Sequence, residues 1–153
     1  MPSVAVVATV ALLASLVAAG CGGSSPPSRS DYQATVVSTR DRVDAALANI
    51  PRARSVEDFL ERMIRAADAI ERAADDLDDA GAAAGFDDET EQLVGALQQL
   101  STDIEATAEQ AQVPGYEGIL AGKGLSWPSW DEVNATLGTL RKQGIRVEPV
   151  ARH

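Results

Sequence analysis

The chain uses cysteine once, at Cys21, and histidine once, at His153, in 153 residues. A single cysteine excludes a disulfide within the chain. With only one histidine beside it, no set of ligands remains for Cys/His catalysis or for a transition-metal site of the usual kind. Lysine occurs only at Lys123 and Lys142, and aromatic side chains make up 4% of the chain, too few for a core built on rings. Net charge is −10, so a phosphate backbone meets no basic surface and nucleic acid is not an expected partner. No motif calls for a cofactor.

Charge is also missing from the first twenty residues, where Val4 to Ala19 is largely Val, Ala and Leu. A spanning helix needs about 20 apolar residues with flanking anchors, whereas a shorter run followed by small residues reads as a cleavable signal. Ala18-Ala19-Gly20 supplies the small residues, and Cys21 follows them directly. An uncleaved anchor helix, a secretory signal with a stray thiol and a buried cysteine are the alternatives. Gly22-Gly23 gives the thiol no apolar setting in which to be buried.

The stretch "VAAGC" resembles the lipobox of bacterial lipoprotein precursors, with Ala18 where that family usually has Leu. The resemblance covers only the first twenty-odd residues. It implies cleavage before Cys21, a diacylglyceryl group on its sulfur and acylation of the freed amine. One acyl chain holds a protein to a bilayer only marginally, so two or three on one residue make a stable anchor. The implied location is the outer face of the cytoplasmic membrane, or the outer membrane of a diderm cell.

The rest divides into a Gly/Ser/Pro tether at residues 21–29, a helical domain at 30–145 and a C-terminal tail at 146–153. The tether composition cannot bury enough apolar surface to order itself, and its span is on the order of 15 Å. Val56, Leu60, Met63, Ala67, Ile70, Ala74 and Leu77 follow an unbroken alternation of four and three, which places them on one helical stripe. The same spacing runs through Phe86, Thr90, Leu93, Leu97, Leu100, Ile104, Thr107 and Ala111, and through Trp130, Val133, Leu137 and Leu140. Tyr32, Val36, Val43, Leu47 and Ile50 form a rougher stripe.

Ser30 with Gln33, Ser55 with Asp58 and Ser129 with Glu132 have the spacing of N-terminal capping boxes. Pro51, Gly81, Pro114-Gly115 and Gly144 mark the stops. The expected fold is all-α, an antiparallel four-helix bundle following a signal peptide and flexible tether. Its alanine-rich stripes predict close helix approach and modest stability.

"GILAGKGLS", residues 118–126, looks like a phosphate loop but lacks its pattern. Three residues separate Gly118 from Gly122, Gly124 follows Lys123, and no strand precedes it. Asp75, Asp76, Asp78 and Asp79 close the second helix, while Asp87, Asp88, Glu89 and Glu91 open the third. An antiparallel hairpin brings both groups to the turn at residues 81–85, on the end expected to face the membrane. That acidic patch is the candidate divalent-cation site. Asp76, Asp78, Gly81 and Asp87 match part of a calcium loop, yet Ala80 stands where an oxygen ligand is needed.

Arg40, Arg42, Arg52, Arg54, Arg62 and Arg65 are expected to gather at the opposite end. Trp127 and Tyr116 are the candidate partner contacts, with Trp127 alternatively plugging the bundle end. Two functions remain open: a non-enzymatic lipid-anchored module engaging another envelope protein, or a carrier of a small ligand or divalent cation. The first calls for a free surface and the second for an enclosed cavity.

Overall fold

Ser28 opens the folded part of the chain. Its Oγ accepts from the Asp31 backbone N–H at 3.2 Å and starts α1 (Arg29–Asn49). The box expected at Ser30 and Gln33 therefore lies two residues too late. The cause is local: Asp31 stands three residues after Ser28, and its carboxylate receives the Ser28 hydroxyl at 2.6 Å. Arg29, counted with the tether in the sequence, is consequently helical. The computed structural model describes residues 25–112 and 125–153; the signal segment, Cys21, Tyr116 and most of the glycine-rich stretch fall outside them.

Pro51 turns the end of α1 into one turn of 3-10 helix at Ile50–Arg52, with Ile50 buried. Ser55 then caps α2 (Val56–Ala80), accepting from the Asp58 N–H at 3.1 Å while the Asp58 carboxylate accepts from the Arg54 N–H at 2.9 Å. Gly81 ends α2 at φ 71°, a conformation that a side chain disfavours. Asp87, Asp88 and Glu89 occupy the first turn of α3 (Asp87–Ala111), where the helix dipole favours negative charge.

The fourth helix, α4 (Pro128–Lys142), starts at Trp127 with Pro128 in its first turn, not at the expected Ser129 box. Proline's fixed φ suits that position and its missing N–H costs nothing there. Ser129 instead turns inward, buried, and donates to the Asp103 carboxylate at 2.6 Å.

The apolar stripes meet as their spacing predicts. Tyr32, Val36, Val43, Leu47 and Ile50 from the first stripe and Met63, Ala67, Ile70, Ala74 and Leu77 from the second are buried. So are Leu93, Leu97, Leu100 and Ile104 of α3 and Trp130, Val133, Leu137 and Leu140 of α4. Val56, at the edge of α2's first turn, is 45% exposed and falls outside the core. Each helix packs on the next in sequence. Among the described residues the regular structure is entirely helical, a helical bundle, and no helix is long and apolar enough to cross a membrane.

One part of the architecture departs from simple helix packing. After Gly144, which adopts φ 91°, residues 145–153 leave the helix and lie between α1 and α4. Ile145, Val147 and Val150 are buried, and their neighbours face outward. The Arg146 N–H meets Gln33 and the Ala151 N–H meets Asp44. Those partners are eleven residues apart, about 16 Å along a helix axis. Five residues of the segment cover it at about 3.3 Å each, the rise of extended chain. The residues read from sequence as a tail form an extended strap that completes the core.

Candidate functional site

Tyr32 ties the end of the molecule where the chain enters. Its phenol donates to Thr90 Oγ1 at 2.7 Å, and Thr90 donates to the Phe86 carbonyl at 2.7 Å. Burial raises the Tyr32 pKa, the Thr90 bond opposes that, and Glu89 and Asp87 add to the rise. The Arg29 guanidinium lies over the Phe86 ring and also donates to the Gln143 carbonyl. The start of α1, the α2–α3 turn and the end of α4 are thus at one end.

The expected acidic patch is at this end, but its carboxylates are spread out. Asp75, Asp76, Asp78, Asp79, Asp87 and Asp88 are exposed and Glu89 is half-buried. Asp76 accepts from Arg42 at 2.6 Å, and Glu89 accepts from the Gln143 amide. Asp76 and Asp78 lie within α2, so the partial calcium-loop match is not a loop. Among the described residues no three carboxylates, thiols or imidazoles come together to hold a metal ion.

Trp127 is not an open contact surface. It is buried, and its indole N–H donates to Thr107 Oγ1 at 2.9 Å across the start of α4. An indole has to place its N–H when buried, and the hydroxyl of Thr107, on the α3 stripe, provides the partner.

The six arginines divide into different tasks instead of forming one basic end. Arg40 donates to the Pro149 carbonyl through Nε at 3.1 Å and Nη2 at 2.7 Å. Arg42, Arg62 and Arg65 join Arg72 along a groove of about 690 Å³ between α1 and α2. Ala45, Ala46, Ala66 and Ala69 form its floor. The expected helical ion pairs are present, Arg62 with Asp58 at 2.7 Å and Arg65 with Glu61 at 3.5 Å. Arg72 donates through Nε to the Asp68 carbonyl at 2.9 Å. Small side chains on the floor allow a helix backbone to approach, and guanidinium forks suit carboxylates.

The strap is held by residues that the apolar pattern did not reveal. Asn134 donates to the Val150 carbonyl at 3.3 Å and accepts from the Val150 N–H at 2.8 Å. Asp44 accepts from the Ala151 N–H at 2.8 Å and faces the His153 ring at 3.2 Å. Burial raises the Asp44 carboxyl, but the Ala151 N–H, His153 and Arg40 outweigh it and hold the pKa below its ordinary value. Arg152 lies over the Trp130 ring and pairs with Asp131 at 3.0 Å. The alternation Ile145, Val147 after Gly144 was the one sequence signal for this segment.

No family model, curated protein or solved structure matches the chain, so its function is argued from the geometry above.

Proposed function

We propose that the chain is a lipid-anchored bacterial envelope lipoprotein, held through Cys21, whose helical domain engages another envelope protein without catalysis. The lipobox-like stretch and the tether support the anchor. An antiparallel four-helix arrangement is supported by contacts that pair early residues of one helix with late residues of the next. These are Arg62 with the Asn49 carbonyl, Asp103 with Ser129, and Glu89 with Gln143.

The observation that carries the partner reading is the α1–α2 groove. Arg42, Arg62, Arg65 and Arg72 line it together with Asn49, four alanines and one carboxylate, Asp76, in a chain of net charge −10. Its α1 side, Arg42 to Asn49, belongs to the half of that helix remote from Ser28, and Asp76 lines it toward the end where the chain enters. Charge complementarity fits it to the acidic face of a partner helix. Its open form favours a docked protein over the enclosed site that a small-ligand carrier needs.

The test is a native mass spectrum of the full chain extracted in mild detergent from its own membranes. The expected species begins at Cys21, carries acyl chains and retains a second protein. Reversing two groove charges, Arg65→Glu with Arg72→Glu, should release that protein and leave the acylated mass unchanged. An unprocessed, unacylated chain overturns the anchor, and a partner retained by the double variant overturns the groove.

A further inference from the structure

The strap is gripped mainly by its backbone. Going along it, the Arg146 N–H is received by Gln33 Oε1 at 2.9 Å, and the Pro149 carbonyl takes two N–H groups from Arg40. Asn134 then takes both the N–H and the C=O of Val150, and Asp44 receives the Ala151 N–H. The side chains that do this come from two helices facing one another across the strap. Main-chain bonds of this kind accept any extended segment in the right register, as an added strand does at a sheet edge. Side-chain selection is left to the sites of Ile145, Val147 and Val150, which alone among residues 145–153 are buried. Pro149 has no N–H to leave unpaired and favours the extended form.

From this geometry we infer that the channel between α1 and α4 is a peptide-binding groove occupied by the chain's own strap. It takes in exchange an extended segment of a partner protein with the same pattern. That pattern is an apolar residue, a second two positions on and a third five positions on, with proline just before the last. The site goes beyond the α1–α2 groove and does not depend on it. Gly144, at positive φ, is the joint at which the strap leaves α4. Exchange leaves the turns of α4 in place, because that helix ends at Lys142, and costs at its end only the bond from the Ile145 N–H to the Leu140 carbonyl at 3.0 Å. A resident occupant also sets a threshold, since the apparent affinity for a competitor falls by the fraction of molecules whose groove is empty.

The probe is a fluorescently labelled peptide of Ile145–His153, titrated into the full chain in detergent and read by anisotropy. Saturable binding is expected, and Val150→Ala in the protein, which weakens only the resident strap, should tighten it at least about tenfold. Asn134→Ala in the protein removes the same two bonds from the resident strap and from the peptide, so it should leave the apparent affinity nearly unchanged, and a peptide carrying Val147→Asp and Val150→Asp should not bind. Absence of peptide binding to both the wild type and Val150→Ala overturns the proposal.

Hydrogen exchange gives a second readout that needs no variant. The amides of Arg146, Val150 and Ala151 are expected to exchange faster than the central amides of α2 and α3, through an opening confined to the strap. Exchange of all of them at a common, slowest rate would mean that the strap opens only when the whole domain unfolds, and would overturn the proposal.

Discussion

Asn134 holds both polar groups of one residue, Val150, and no other contact secures the strap at that point so completely. Asn134→Ala is expected to lower unfolding free energy by about 1–2 kcal/mol in urea denaturation, the usual net worth of two neutral hydrogen bonds. Asp44 makes the same attachment dependent on pH. Its folded pKa lies below the ordinary value, so its stabilisation is fully present above the unfolded pKa of about 3.9 and is lost as pH falls through the folded pKa. Stability measured below pH of about 4 should fall more steeply in the wild type than in Asp44→Asn, which has no charge there to lose. Equal slopes would remove Asp44 from the account of acid sensitivity.

Helices α2, α3 and α4 were legible because a single property, burial on one face, repeats along them. From Met63 to Leu77 and from Phe86 to Ile104, every residue on the expected stripe is buried. The starts were less so. Ser55 caps α2 as its spacing predicts, but Ser28 and Trp127 replaced Ser30 and Ser129, since nearby hydroxyls compete and a proline at the first position makes a side-chain cap dispensable. Removing the α2 cap in Ser55→Ala should cost about 1 kcal/mol. α1 gave a rougher stripe for a reason the structure supplies: Gln33, Arg40 and Asp44 occupy a second working face of that helix. The strap itself was illegible because its bonds run from isolated polar side chains to backbone atoms, which leave no spacing in the sequence. Gly144→Ala should destabilise by about 1–2 kcal/mol through its positive φ, and a built Cβ would also sit 2.8 Å from the Arg29 guanidinium. Thermal denaturation compares the two variants directly.

For the molecule as a whole, net charge −10 on a domain whose acidic groups are mostly exposed favours expansion by self-repulsion. Raising salt from about 10 mM to about 150 mM shortens the screening length from about 30 Å to about 8 Å. The melting temperature should therefore rise over that range, and a fall would show that the arginine pairs outweigh the repulsion. The strap carries a further consequence, in time. Arg29 touches Gln143, Gln33 touches Arg146 and Asp44 touches Ala151, contacts separated by more than a hundred positions in the chain. Loops of that length close late. A polypeptide made from its amino end leaves one flank of α1 bare until residues 145–153 have been synthesised, so every nascent chain passes through a stage in which that groove is open to whatever segment arrives first.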